Sequence, residues 1–197
     1  MIAPWAIYNS SRLHRPEPIS SLLGPLLLGA NCKATYHGPQ IGGWNYLCAV
    51  PPTRRNFDVS DVDYRDRQLA LEYIRRHADR LPAVTLARIG RTFGFFHPLE
   101  SHQGDLRREQ WVAFLMLLSY WALVVGGGAG AVLLRRAGTP IWPLMSLLVL
   151  SLIVTVTSYG NVRFRATGDL SLVVLSAVAV AHLSRRRAAP VTADATP

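Results

Sequence analysis

The pattern of apolar and polar positions changes character near residue 110. Before it, apolar residues come in short runs broken by charge, Gly and Pro; after it they come in three long blocks. Gln110 to Leu134 is 25 residues without a charge, with Trp111 at one end and Arg135-Arg136 at the other. About 20 apolar residues suffice for a helix to cross hydrocarbon, so this block predicts a transmembrane helix. Ala137 to Val162 is a second uncharged block, with an apolar core from Ile141 to Tyr159. Pro140, Trp142 and Pro143 stand at its entrance, where a first helical turn tolerates Pro because the missing N–H had no partner. Trp142 and Tyr159 suit the two interfacial belts. The third block, Leu170 to Ser184, is only 15 residues and ends in Arg185-Arg186-Arg187. By itself it fits a buried helix; it spans if Ala166 to Asp169 continue the helix into the headgroups.

Within the first block, Ala122, Gly126 and Gly130 recur every fourth residue, on one helix face. Small residues at that spacing let a second helix approach closely. The run Gly126-Gly127-Gly128-Ala129-Gly130 is not a phosphate loop, since neither a strand before it nor a Gly-Lys-Ser/Thr after it is present.

In the first half, Ser60 to Leu81 carries the best soluble helical pattern. Ser60 can cap it, Asp61 and Asp63 suit its positive start, and Arg75, Arg76 and Arg80 suit its end. Pro82 opens a second helix that runs from Ala83 to about Thr92 and closes near Gly94. The apolar stretch Pro16 to Gly29 is interrupted by Pro18, Gly24 and Pro25, so no helix is expected to cross there. Asn31 to Cys48, rich in Gly, Tyr, Trp and Asn, reads as a compact loop, and Pro51-Pro52 as a linker. Phe93, Phe95 and Phe96 lead toward the membrane as interfacial packing.

Composition sharpens this division. Half of the chain is hydrophobic and 17% is charged, which excludes a disordered chain. The net charge is +9, carried by Arg with Lys33 as the one lysine. In residues 1–110 acids are interspersed with the bases and aromatic stacking motifs for RNA are missing, which argues against nucleic acid as a partner. The remaining positive charge flanks the apolar blocks, as anchoring in a lipid bilayer requires.

The Arg distribution also sets an orientation. The loop 135–139 and the tail after Ser184 hold five Arg; the opposite side holds four, Arg107, Arg108, Arg163 and Arg165. The positive-inside rule then places the 135–139 loop and the C-terminus in the cytoplasm. Cys32 and Cys48 are the two cysteines, at a spacing that is neither a zinc pair nor a Cys-x-x-Cys motif. They form a disulfide if the first half is extracytoplasmic, or stay as two free thiols otherwise. No secretory signal opens the sequence, and Met1 to Ile7 reads like the interfacial end of an earlier helix. Upstream spans are therefore expected.

Catalytic constellations are sparse. His37, His77, His97 and His102 lack a matching carboxylate or Cys set for a metal. Asp61, Asp63 and Asp66 read as helix-start acids rather than paired catalytic acids. No Ser elbow, phosphate loop or Cys–His arrangement is present. Asn9-Ser10-Ser11 fits a glycosylation sequon.

Several blocks, taken in order, carry a resemblance. Ala3-Pro4-Trp5-Ala6-Ile7-Tyr8-Asn9 is followed by Pro18-Ile19-Ser20, Gly29-Ala30-Asn31-Cys32, Thr35-Tyr36-His37-Gly38 and Ile41-Gly42-Gly43-Trp44 with Cys48. Then come Leu81-Pro82-Ala83-Val84, Ala87-Arg88-Ile89-Gly90-Arg91-Thr92-Phe93-Gly94, and Tyr159-Gly160-Asn161-Val162-Arg163-Phe164-Arg165-Ala166. Together they resemble the C-terminal part of bacterial phospholipid-carrier-dependent glycosyltransferases of the GT-C fold, akin to protein O-mannosyltransferases and the aminoarabinose transferase. The resemblance runs to about Arg187. It departs from the family at Thr167-Gly168-Asp169, where Pro and an acid followed by Pro are usual.

The resemblance implies a multispan inverting enzyme that moves a sugar from a polyprenyl-phosphate carrier to an acceptor on the outer face. The family's catalytic acid, commonly with a divalent metal, belongs to a first extracytoplasmic loop with no counterpart here, so no catalytic residue, metal ligand or cofactor is assigned to this chain. Arg163 and Arg165 then become candidates for the donor phosphate, since Arg offers an always-charged fork to phosphate oxygens. The competing reading is interfacial snorkelling.

The expectation is a mainly α membrane protein of the plasma (inner) membrane. An extracytoplasmic lobe (1–109) with a disulfide-closed loop and short helices precedes three transmembrane helices (110–187; about 110–134, 140–159 and 167–184) and a disordered cytoplasmic tail (188–197). The expected function is the C-terminal portion of a glycosyltransferase, inactive without upstream spans. The alternative is a non-catalytic, membrane-anchored extracytoplasmic binding or scaffold protein.

Overall fold

A computed structural model describes residues 3–15, 20, 22–49, 58–98 and 110–188. The Pro51-Pro52 linker, Arg107, Arg108, His102 and the tail beyond Ala188 lie outside the described residues, as do Pro18 and Ile19. The described residues are helical or irregular, with no strand among them. Among the described residues the α-helices follow in order: α1 Ala3–Arg12, α2 Leu23–Ala30, α3 Lys33–Tyr36, α4 Val59–Arg76, α5 Leu81–Thr92, α6 Gln110–Arg136, α7 Trp142–Thr157 and α8 Ala166–Ala188. Short 3₁₀ turns at Gly38–Gln40, Tyr46–Ala49, Ala78–Arg80 and Val162–Arg165 join them. The chain forms two units. One is Met1–Thr92 with Thr155–Asn161, the other Phe93–Val154 with Val162–Pro197.

In the first unit, α2 packs on α4. Gly24 and Pro25, which in sequence look like breaks, sit in the first turn of α2, where Pro costs no hydrogen bond. A side chain at Gly24 would run into the Asp63 carbonyl, so Gly allows the two helices to meet there. The Gly24 N–H donates to Asp63 Oδ1 at 2.6 Å, and Arg67, one turn on, pairs with the other Asp63 oxygen. The cap of α4 is Asp58, not Ser60: the Asp58 carboxylate accepts from the Ser60 N–H at 2.8 Å and also from the Ser60 hydroxyl. Asp61 does lie in the first turn. Asp63 and Asp66 are instead buried on the inner face of α4, together with Ala70.

Cys32 and Cys48 form a disulfide across 16 residues of chain, with Cα atoms 6.4 Å apart. Tyr36 is fully buried inside this loop, and its hydroxyl donates to Asn31 Oδ1 at 3.0 Å. The Tyr36 ring meets Tyr73 edge-on at 5.1 Å, and Tyr73 stacks on His77 at 4.1 Å.

In the second unit, α6 and α8 run against each other along their lengths. The glycines of α6 set the approach. A Cβ at Gly126 would lie 2.9 Å from Ser176 Oγ, one at Gly127 3.0 Å from Leu172, and one at Gly130 would collide with the Leu175 carbonyl. Hydroxyls fasten the helices to each other: Ser176 donates to the Leu123 carbonyl at 3.0 Å and Ser171 to the Leu144 carbonyl at 2.7 Å. Such bonds replace water that hydrocarbon does not supply. Phe95 packs edge-on against Trp121 at 4.9 Å.

Trp111–Arg136 and Val162–Arg185 are long and apolar enough to cross a membrane. The third block, short in sequence, is thus extended by the 3₁₀ turn and by Ala166 to Asp169. The middle helix α7 is the short one. Its 16 residues rise about 24 Å, less than the roughly 30 Å hydrocarbon core.

Candidate functional site

The first unit gathers blocks that are far apart in sequence. Gly42 adopts a φ of +75°, which only Gly takes without strain, and a Cβ there would lie 2.6 Å from the Arg88 backbone nitrogen. The Gly160 N–H donates to the Gly42 carbonyl at 2.7 Å. A Cβ at Gly160 would meet the Arg88 carbonyl at 2.7 Å. Two glycines thus let the disulfide loop and the segment 155–161 close on the backbone of α5. Tyr159 lies against Trp44, with ring centroids 6.2 Å apart. The Asn161 N–H donates to Thr92 Oγ1 at 3.1 Å, and the Thr155 hydroxyl meets the same oxygen at 3.3 Å.

Two buried arginines complete this junction. Arg88 is 5% exposed and donates to the Val156 carbonyl at 2.9 Å, the Ala30 carbonyl at 3.0 Å and Asn31 Oδ1 at 2.9 Å. Arg91 donates through Nε to the Ile41 carbonyl at 2.7 Å and through Nη2 to the Pro39 carbonyl. Both guanidiniums are used as forks for backbone and amide oxygens. Burial pushes the Arg88 pKa down, with Tyr36 acting against it. In the sequence Arg88 and Arg91 read only as pieces of a motif, because the carbonyl oxygens they meet lie far away along the chain. A basic residue recurring three positions after another on the inner face of a short helix was the available signal.

In the second unit the two sequence-selected arginines separate. Arg163 is exposed, whereas Arg165 is 6% exposed. The Arg165 guanidinium lies over the Tyr120 ring, 3.8 Å from its centroid, and Nε faces Asp169 Oδ2 at 3.6 Å, one helical turn on. Arg165 Nη1 and Asp169 Oδ1 are buried without a hydrogen-bond partner among the described residues. Gly94, with a φ of +74°, lies beside Nη1: a Cβ there would be 3.8 Å away. A desolvated cation on an aromatic face contributes about 2 kcal/mol. The arrangement therefore holds a guanidinium in place with one donor nitrogen still available.

Two further groupings lie in the first unit. His14, Asp58 and Asp61 bring one ligand atom each within 4.8 Å of one another. Their atoms already serve other bonds: Asp61 accepts from Arg15 at 2.8 Å and meets His14 at 3.1 Å, and Asp58 caps α4. Arg15 first, then His14, hold the Asp61 carboxyl below the usual carboxylate range. These bonds make the grouping a tie between the end of α1 and the start of α4. Beside the disulfide is a cavity of about 400 Å³, lined by the stacked Tyr73 and His77 and by the ion-paired Glu72 and Arg76. His77 Nδ1 is engaged with the Tyr73 carbonyl at 3.0 Å.

No family model, curated protein or solved structure matches the chain. The fold and its groupings define a helical protein with a disulfide-bonded unit and a unit containing membrane-length apolar helices.

Proposed function

We propose that the chain is part of a membrane glycosyltransferase that moves a sugar from a polyprenyl-phosphate carrier to an extracytoplasmic acceptor, with Arg165 contacting the carrier phosphate. The observation that supports this reading is the buried Arg165 guanidinium, oriented by Tyr120 and Asp169 with Nη1 unpartnered among the described residues. In such a transfer the leaving group is an anionic phosphate at the edge of the bilayer. A fixed cation there stabilises the charge that develops as the sugar–phosphate bond breaks. Arg163 adds a second positive charge nearby in sequence. The disulfide supports an oxidising location for the first unit.

Titration of the purified chain in detergent with a short polyprenyl phosphate, followed by tryptophan fluorescence, tests the reading. Arg165→Ala should weaken binding by about ten- to a hundredfold, the worth of one hydrogen bond to a charged group. Arg165→Lys keeps the charge but loses the fork and should recover only part. Unchanged affinity in a folded Arg163→Ala/Arg165→Ala double variant would sink the assignment.

The second reading, a non-catalytic lobe that binds an envelope glycan, draws on the cavity beside the disulfide. Aromatic faces with a carboxylate and a guanidinium suit a polyol. Soluble-glycan binding that Tyr73→Ala abolishes and Arg165→Ala leaves intact would favour it over the first.

A further inference from the structure

The Arg-rich end of the α6/α8 pair contains a groove of about 450 Å³ within the second unit. Its walls are apolar, with Gly128 and Val132 from α6 and Leu183 from α8; Arg136 and His182 supply the polar atoms. Gly128 differs from the other three glycines of α6. An added Cβ would meet nothing within 4 Å, whereas at Gly126, Gly127 and Gly130 it would strike α8. Three glycines therefore serve the helix seam, and Gly128 opens onto the groove. His182 Nε2 is buried and has no hydrogen-bond partner among the described residues. The sequence around the groove, 126–139 and 176–188, contains five Arg and no Asp or Glu.

We infer that this groove is a binding site for an anionic phospholipid. One acyl chain lies along Gly128, Val132 and Leu183, and the headgroup phosphate accepts from Arg136 and from His182 Nε2–H. Basic pockets between membrane helices select anionic headgroups in this way. Charge complementarity decides between occupants. An apolar helix would cover the walls but leave Arg136 and His182 without an acceptor, and a free phosphate would leave the apolar walls uncovered. The site is at the opposite end of α8 from Arg165 and does not depend on the sugar-transfer reading.

Native mass spectrometry of the full chain in detergent, offered equimolar dioleoylphosphatidylglycerol and dioleoylphosphatidylcholine, tests the inference. The wild type should retain the anionic lipid in about tenfold excess. Arg136→Gln and His182→Gln should each move the ratio toward parity, and Arg75→Gln, on the exposed face of α4, should not. Gly128→Leu should fill the groove and remove retention of both lipids with helix content unchanged; Val132→Phe fills it from the next turn if the Leu variant does not fold. Equal retention of the two lipids by the wild type overturns the inference. So does a preference that survives both filling variants. A homodimer that Gly128→Leu dissociates, without lipid preference, assigns the groove to a second copy and overturns it as well.

Discussion

At the scale of single residues, this protein uses buried charge in three ways. Arg88 and Arg91 meet carbonyl oxygens, so their charge secures a chain junction through bonds that an apolar residue cannot make. Asp63 is fully buried, with one oxygen accepting from a backbone N–H and the other ion-paired with Arg67. Asp66, 5% exposed, is the costly one. Burial pushes its pKa up, Arg65 opposes this, and the neighbouring Asp63 charge adds to it. A carboxyl whose folded pKa is raised favours folding below its unfolded pKa, near 4, and loses that contribution as pH rises through the folded value. Asp66→Asn should therefore raise the unfolding temperature by a few degrees near neutral pH. The gain should vanish as the buffer approaches about pH 4. A scan of unfolding temperature against pH for the two proteins checks this; a pH-independent difference would contradict it.

At the scale of elements, the α6/α8 seam depends on which glycines face α8. Gly130 touches the Leu175 backbone, which cannot move aside, whereas Gly128 faces open space. Gly130→Val should force the helices apart and lower the unfolding temperature by several degrees, since overpacking costs about 1–3 kcal/mol. Gly128→Val should change it little. Thermal unfolding of the two variants in the same detergent gives the comparison, and equal losses would deny the seam its glycine basis. Helix α7 depends on tertiary ties instead. It is short for a span, and Ser151, fully buried, donates to the Phe164 carbonyl at 2.6 Å.

At the scale of the whole molecule, the disulfide and the charge flanking the long helices bear on orientation. Asp79 and Thr139 are both exposed, one in the disulfide-bonded unit and one in the Arg-bearing loop. In intact cells a membrane-impermeant maleimide should label a Cys introduced by Asp79→Cys and spare one introduced by Thr139→Cys. Cys32 and Cys48 should stay unlabelled until a reductant is added. The opposite labelling pattern would reverse the orientation.

The sequence alone determined the features that depend on local pattern. Uncharged runs bounded by Trp and Arg gave the long helices of the second half, because hydrocarbon demands about 20 apolar residues whatever the fold. Four-residue glycine spacing gave the close helix face, whereas the two cysteines could be a disulfide or free thiols until the structure joined them. The tertiary structure alone decided what depends on partners distant in sequence. Gly24 and Pro25 begin a helix because Asp63 waits opposite them. Asp63 and Asp66 turn inward because α2 covers that face of α4. The turn after Tyr159 carries two arginines two positions apart, and only packing against Tyr120 and Asp169 buries Arg165 while Arg163 stays exposed. A pattern along the chain shows which residues can be buried, but the energy of burying a charge depends on the atoms that surround it, and those come from elsewhere in the sequence.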